Sequence, residues 1–385
     1  MAFGKKPKGH KTFPMNEGVT KRIVFFIMGT ITLFLLFLCV FSSATAYLGD
    51  RFYFLELAST LQPITFTCTL IMLLFWIAYR SKWVFVAVLS LLISMNYFLA
   101  VFQLPKLKKE KSNKTELVVS TYNIQGFGYG QIDLTVQLLS DFMKEKKVDI
   151  LCFQEFGFSE NFTADSIKQR FKFLPYQVIT GNEKAGFGMA IFSKYPIVRS
   201  TIIRFKSSLN SAMYSDILYN KDTIRVVNFH MQTTNFNQSR FPINPGYWLW
   251  DMTEEAKKAM TVVERLHQNY AKRLMQGKAL RNQIEKSPYP VIACGDMNAN
   301  PASYSYKQIK GALCDGFKTS GSGYEYTYRY LFKLLRTDYI FHSAKFQGLF
   351  YKSYDLDYSD HKPVIMKVIP NLQSEKGKNA SNAGF

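Results

Sequence analysis

Asp296 and Asn298 stand two residues apart at the end of a short apolar run, Val291–Ala293, that Gly295 closes. The run is too short and too β-branched for a helix, so it reads as a buried strand. Side chains two apart on an extended chain point the same way. A carboxylate and an amide then face one place together. The carboxylate can hold a water or a metal, and the amide can hold an oxygen. Taken alone, the pair is as readily a strand end with an Asp–Asn turn, so the rest of the chain has to decide.

Other strand-like runs finish in the same manner. Leu117–Tyr122 leads into Asn123, and Val148–Phe153 leads into Gln154 and Glu155. Ile224–Met231 carries His230, Thr337–Phe341 opens at Asp338, and Asp360-His361 precedes the strand Val364–Ile369. Apolar strands that repeatedly end in acids, amides or histidine suggest one rim where those ends meet. Carboxylates grouped there repel one another unless a cation lies among them. Hard oxygen ligands suit magnesium, manganese or calcium rather than zinc. Such a set holds the parts of phosphate-ester hydrolysis: a metal that polarises a phosphoryl oxygen, an Asp that activates water, and a His that meets transition-state charge.

The ordered motifs TYN (121–123), QE (154–155), SKYP (193–196), NFH (228–230), GDMN (295–298), DYIF (338–341) and SDHKP (359–363) resemble the endonuclease/exonuclease/phosphatase superfamily of metal-dependent phosphodiesterases. The resemblance covers about 117–370. It implies an α/β (α+β) fold, a four-layer sandwich of two packed β-sheets flanked by helices. It also implies roles. Glu155 is the principal metal ligand, with Asn123 and Asp360 beside it. Asp296 orients or deprotonates the attacking water, and Asn298 holds the phosphate. His361 contacts a phosphoryl oxygen, with Asp338 fixing its tautomer. His230 matches the position where pancreatic-type DNases keep a histidine and abasic-site endonucleases a tyrosine. One departure stands out: many members of the abasic-endonuclease branch carry an Asp two residues after the asparagine, and this chain has Gln125. A neutral amide weakens any second metal site and the case for abasic-site repair.

The elements that must position these residues are strands with irregularly spaced helices, which excludes a doubly wound sheet. Helical spacing appears over Asp133–Glu145, over a short stretch at Ser303–Lys310, and from an Asp251-x-x-Glu254 capping box to about Glu285. An aromatic, proline-bearing loop, Phe236–Asp251, precedes that box. The tyrosine run Tyr324–Tyr330 is expected to pack across strands, with base stacking as the alternative. There is no internal repeat and no Gly-rich phosphate loop. The five cysteines show neither a disulfide framework nor zinc spacing, and Cys152 and Cys294 read as small core residues.

Ahead of this unit the chain is apolar. A basic N-terminus (1–22) precedes a region (23–103) with three expected transmembrane helices, about 23–46, 61–79 and 83–102. A bilayer crossing needs about 20 apolar residues. Ala44-x-Ala46 has the spacing of a signal cleavage site, but the long n-region favours an uncleaved anchor. The basic N-terminus, with Arg80 and Lys82 between the second and third runs, predicts an integral membrane protein with its catalytic domain (117–370) outside the cytoplasm. Lys106, Lys108, Lys109 and Lys111 in the linker (104–116) argue the other way. A polar tail, 371–385, is expected to be disordered.

The whole chain of 385 residues carries Lys+Arg 48 against Asp+Glu 28, a formal charge of +20. That excess suits polyanions: nucleic acid, anionic lipid or phosphorylated substrates. The reading is a membrane-anchored, divalent-metal-dependent phosphoesterase acting on phosphodiesters, nucleic acid favoured. A hydrolase of phospholipid or sphingolipid headgroups or of inositol phosphates is the alternative, and a non-catalytic membrane-tethered binding protein the second. The partners expected are the phosphate-ester substrate and a lipid bilayer; the sequence names no protein partner.

Overall fold

The computed structural model describes residues 17–49, 51, 55–106, 115–127, 132–157, 163–181, 188–233 and 254–372. The first sixteen residues, most of the charged linker, the Phe236–Asp251 loop, the start of the capping box and the tail beyond 372 lie outside the described residues.

Two long apolar helices come first, α1 (Glu17–Leu48) and α2 (Leu55–Ala78). They are joined by polar contacts inside an apolar interface: Trp76 Nε1 donates to Thr32 Oγ1 at 2.8 Å. The third apolar run differs from the single helix expected over 83–102. It folds as α3 (Val84–Ile93) and α4 (Met95–Val101), which meet at 63° around Ser94. The ten residues of α3 reach about 15 Å, half of a hydrocarbon core. Among the described residues two helices are therefore long and apolar enough to cross a membrane, and a third crossing requires the bent pair to act as one.

After the short strand β1 (Phe102–Gln103), the elements are β2 (Leu117–Asn123), α5 (Ile132–Glu145), β3 (Ile150–Phe156), α6 (Ala164–Arg170), β4 (Tyr176–Ile179) and β5 (Gly188–Ser193). Next come β6 (Ile197–Arg204), β7 (Ser211–Tyr219), β8 (Asp222–His230), α7 (Glu254–Glu285), β9 (Val291–Asp296) and α8 (Tyr304–Lys310). The remainder is β10 (Cys314–Asp315), α9 (Gly316–Ser320), β11 (Gly323–Tyr324), β12 (Asp338–His342), β13 (Phe346–Ser353) and β14 (Val364–Pro370). One six-stranded sheet has the order β13-β14-β2-β3-β5-β4, the other β10-β12-β9-β8-β7-β6. Both are mixed: β2 and β3 pair in parallel, as do β8 and β9, and their other pairings are antiparallel.

Alternation along the strands builds the layers. Leu117, Val119, Ile150 and Cys152 of the first sheet meet Ile224, Val226, Ile292 and Cys294 of the second in a central core. On the outer face of the first sheet, Val118, Leu151 and Phe153 pack on Val136, Leu139 and Ile167 of α5 and α6. On the outer face of the second, Val227, Ala293 and Phe341 pack on Leu280 and Ile284 of α7 and Ile309 of α8. The result is the expected sandwich of two sheets flanked by helices, with both cysteines buried in its centre.

Candidate active site

Strand register sets the site. β8 and β9 place His230 beside Asp296, and β9 and β12 place Asp296 beside Asp338, so one row across the second sheet ends in three titratable groups. In the first sheet β2 and β3 place Asn123 beside Gln154. A register shift between Gln154 and Phe156 then turns Glu155 out of the ladder with φ at 49°. A bulge of this kind re-aims a side chain at the end of a strand. Asn298 also has a left-handed backbone, φ 52°. Gly295 has φ 147°, and a Cβ there would lie 1.9 Å from the Phe229 carbonyl oxygen. Only glycine lets β9 come this close to β8.

The two sheet ends meet through Asn123. Its Nδ2 donates to Glu155 Oε1 at 3.2 Å and to Asp296 Oδ2 at 3.0 Å. Asp296 Oδ1 accepts from the Asn298 backbone N–H at 2.8 Å, and Asn298 Nδ2 donates to Asp296 Oδ2 and to the Met231 carbonyl. His230 Nε2 lies 3.5 Å from Glu155 Oε1 and 3.6 Å from Asp296 Oδ2, buried and without a hydrogen-bond partner. His361 donates from Nδ1 to Asp338 Oδ2 at 2.8 Å, while its Nε2 is 3.7 Å from Asp296 Oδ2 and 4.0 Å from Asp360 Oδ1. All eight residues singled out from the sequence are thus connected in one cluster. Glu155 and Asp360 are its open side, with side chains 24% and 21% exposed against 1% for Asp296 and Asp338.

Electrostatics follow from burial and from the number of carboxylates. Burial pushes the Glu155 and Asp296 carboxyls up from their ordinary values. Burial pushes the His230 imidazole down, against the pull of Asp296. For His361 burial opposes the charge, but the carboxylates of Asp338, Asp296 and Asp360 outweigh it and hold the ring protonated, up to about 10. The His361 ring thus sits among the carboxylates of Asp338, Asp296 and Asp360, which favour its charged form. Asp296, Asp338 and His361 lie close enough together to share a cation. The short Asp338–His361 hydrogen bond, however, commits both partners to each other, which leaves Glu155 and Asp360 as carboxylates on the open side, with the buried Asp296 carboxylate and Asn123 amide behind them. These donors fit a hard divalent cation.

Some residues that hold the site carried no role in the motif reading. Ser359 Oγ donates to the Asn123 carbonyl at 2.7 Å and accepts the His361 backbone N–H, pinning the last loop to β2. Asn228 donates to the Phe153 and Ala190 carbonyls and accepts from Gln154 Nε2 at 2.6 Å, tying the sheets together beneath the cluster. Tyr328 makes an isolated bridge to His361, and their rings are 5.2 Å apart. The only sequence signal for Ser359, Asn228 and Gln154 was membership in the SDHKP, NFH and QE motifs, and Tyr328 had none beyond its place in the tyrosine run. Gln125 has φ 47° and donates its backbone N–H to Asn123 Oδ1.

The family model of the Endonuclease/Exonuclease/phosphatase family matches residues 120–361, most of the chain, and that span holds every residue of the cluster. The chain belongs to this family. No curated protein matches it in sequence. Among solved structures, an endonuclease/exonuclease/phosphatase from Beutenbergia cavernae aligns with TM-score 0.48 at 15% identity, covering 66% of this chain and 72% of that one. D. rerio TDP2 complexed with single strand DNA product aligns with TM-score 0.48 at 15% identity, covering 66% and 99%. The human Nocturnin catalytic domain with bound sulfate aligns with TM-score 0.46 at 19% identity, covering 66% and 94%. Family members are phosphoesterase hydrolases, and this chain has their fold.

Proposed function

We propose that this family member is a membrane-anchored, divalent-metal-dependent hydrolase of phosphate esters that splits phosphodiester bonds with water. The observation that carries the reading is the Asn123 bridge: one amide touches both Glu155 and Asp296, so the ends of two sheets close on a single point. Glu155, Asp360 and Asn123 hold the cation, which is magnesium, with manganese or calcium as substitutes. Rotation of the Asn123 amide exchanges Nδ2 for the Oδ1 that a hard cation takes. Bound there, the cation supplies Lewis-acid polarisation of the phosphoryl group and neutralises charge on the leaving oxygen.

The chain's own groups do the rest. Asp296 orients the attacking water and takes its proton, and burial makes its carboxylate a better base than an exposed one. Asn298 and His230 hold phosphate oxygens from the second sheet. His361, kept protonated and fixed through Nδ1 by Asp338, turns Nε2–H toward the phosphoryl oxygen where charge grows in the transition state. Helices α1 and α2, with the bent α3–α4 pair as a third crossing, anchor the domain in a bilayer, and a basic N-terminus kept in the cytoplasm then puts it on the outer side.

The test is hydrolysis of bis(p-nitrophenyl) phosphate by the full chain in detergent. The reading expects turnover that needs magnesium, stops with EDTA and is lost in Asp296→Ala. Turnover untouched by EDTA or by that substitution defeats it.

A further inference from the structure

The rim of the site is built onto the apolar helices, and from this we infer that the scissile phosphate belongs to a lipid headgroup in the same bilayer. The inference rests on the phosphoesterase reading above and names its substrate class.

Two walls of the site reach the helices by separate routes. Beyond Asn298 the chain passes to Asn300, whose Nδ2 donates to the Ser59 carbonyl of α2 at 2.6 Å. It then reaches Ala302, which packs with Phe66 of α2 and with Tyr97 and Val101 of α4. Four residues extend at most about 14 Å. Asn298 therefore lies within that distance of a residue seated on the apolar spans. On the other wall Tyr328 meets His361, and the segment it belongs to is attached at its start. Tyr324 of β11 pairs with Phe102 of β1, and the Glu325 N–H donates to the Val101 carbonyl at 2.8 Å. The site mouth is thus fixed beside the point where the helices leave the membrane.

The surface around this attachment is apolar and aromatic. Phe332 is 89% exposed, Leu104 73%, Tyr330 62% and Tyr324 46%. The exposed Lys333 places its ammonium 5.9 Å from the Tyr326 ring centroid, while Lys362 is buried against the same ring at 3.9 Å. Exposed rings beside spanning helices have the composition of a bilayer interface, and a lysine such as Lys333 among them meets anionic headgroups. A dissolved polynucleotide can stack a base on Phe332 but gains nothing from Leu104, whereas a bilayer surface covers both. The chemistry needs no co-reactant: the water oxygen bonds to phosphorus, the ester P–O bond breaks, and the proton of the water ends on the released alcohol.

The test places the full chain in mixed vesicles of phosphatidylglycerol, phosphatidylethanolamine, phosphatidylcholine, sphingomyelin and phosphatidate, each labelled in the headgroup in turn. Soluble bis(p-nitrophenyl) phosphate and a single-stranded DNA oligonucleotide are run beside them. The expected result is magnesium-dependent release of label from at least one lipid. The pair of substitutions Phe332→Asp and Leu104→Asp should lower that release by at least about tenfold and leave the soluble diester unchanged, since burying even one such side chain at an interface is worth about that factor. Equal rates on lipid for the substituted and parent chains overturn the inference. So does cleavage of the soluble diester or the DNA with no lipid turned over, and either of these leaves the phosphoesterase reading standing. No turnover of any substrate defeats the phosphoesterase reading itself.

Discussion

His361 donates from Nδ1 to Asp338 Oδ2 at 2.8 Å, although the two are 23 residues apart, Asp338 opening β12 of the second sheet and His361 lying in the loop before β14 of the first. Asp338 Oδ2 also accepts from Thr337 Oγ1 at 2.9 Å, so the carboxylate is itself held. This arrangement orients the ring and favours its charged form. Asp338→Asn keeps the shape and removes the charge. We expect kcat on a soluble diester to fall by about 10²- to 10⁴-fold, the span of a lost acid–base group. The melting temperature should stay near that of the parent, because the amide can still accept from Nδ1. A melt lowered in step with kcat would make the pair structural rather than catalytic.

Glu155 and Asp360 are the carboxylates open to solvent, and the reading assigns them to the cation. Glu155→Gln and Asp360→Asn each remove one charged oxygen ligand without changing volume. The magnesium concentration at half-maximal rate should rise by at least about tenfold in each. The parent should also melt higher in saturating magnesium than in EDTA, as mass action requires of any ligand that binds the folded state. In both substituted chains that gain should shrink. A magnesium dependence identical to the parent would remove these two residues from the metal site.

Much of this cluster was legible because the family motifs sit at strand ends, where a local pattern of apolar residues followed by an acid or amide is readable. The long helix α7 was legible from its periodicity. What was not legible depends on partners far away in sequence. Ser359 is needed for the Asn123 carbonyl 236 residues earlier, and nothing in its neighbours says so. Tyr328 was read with its neighbours as cross-strand packing, yet within that run only Tyr324 lies in a strand, and Tyr328 faces His361. The left-handed turn at Glu155 is invisible in a run that reads as plain β. The edge strands β4 and β13 lack clean alternation because they are only partly covered. The bend at Ser94 escaped because hydropathy counts apolar residues and does not report direction.

Glu325 is buried beneath the rim with Oε1 unpartnered. Burial pushes its carboxyl from 4.5 to about 7, against the pull of Arg336 and Lys362. Between those values the folded chain binds more protons than the unfolded one. The contribution of this group to stability is therefore fully present below pH 4.5 and is lost as pH rises through 7, by up to about 3 kcal/mol. Glu325→Gln should remove that slope and melt higher than the parent at pH 8, with little difference at pH 5. Parallel melting curves across this range would show that Glu325 is already charged in the fold.

Arg336 and Asp315 form a fully buried bidentate pair, Nη1 to Oδ2 and Nη2 to Oδ1 at 2.7 Å each, with both side chains at 0% exposure. Arg336 Nη1 also donates to the Ala100 carbonyl at 2.9 Å, so the pair stands at the join between α4 and the sandwich. Asp315 caps α9 through the Phe317 N–H and accepts from Tyr306 Oη at 2.7 Å. Burial opposes the Asp315 charge, but Arg336 outweighs it and holds the carboxyl below its usual range. Arg336→Met leaves that carboxylate buried without its counter-ion, which costs about 3–5 kcal/mol. Restoring neutrality with Asp315→Asn in the same chain should recover part of the loss, because the penalty arises from the stranded charge rather than from the missing contact. Thermal melts of the parent, both single variants and the double variant give the coupling directly. Additive losses would mean that the two groups act independently despite their geometry.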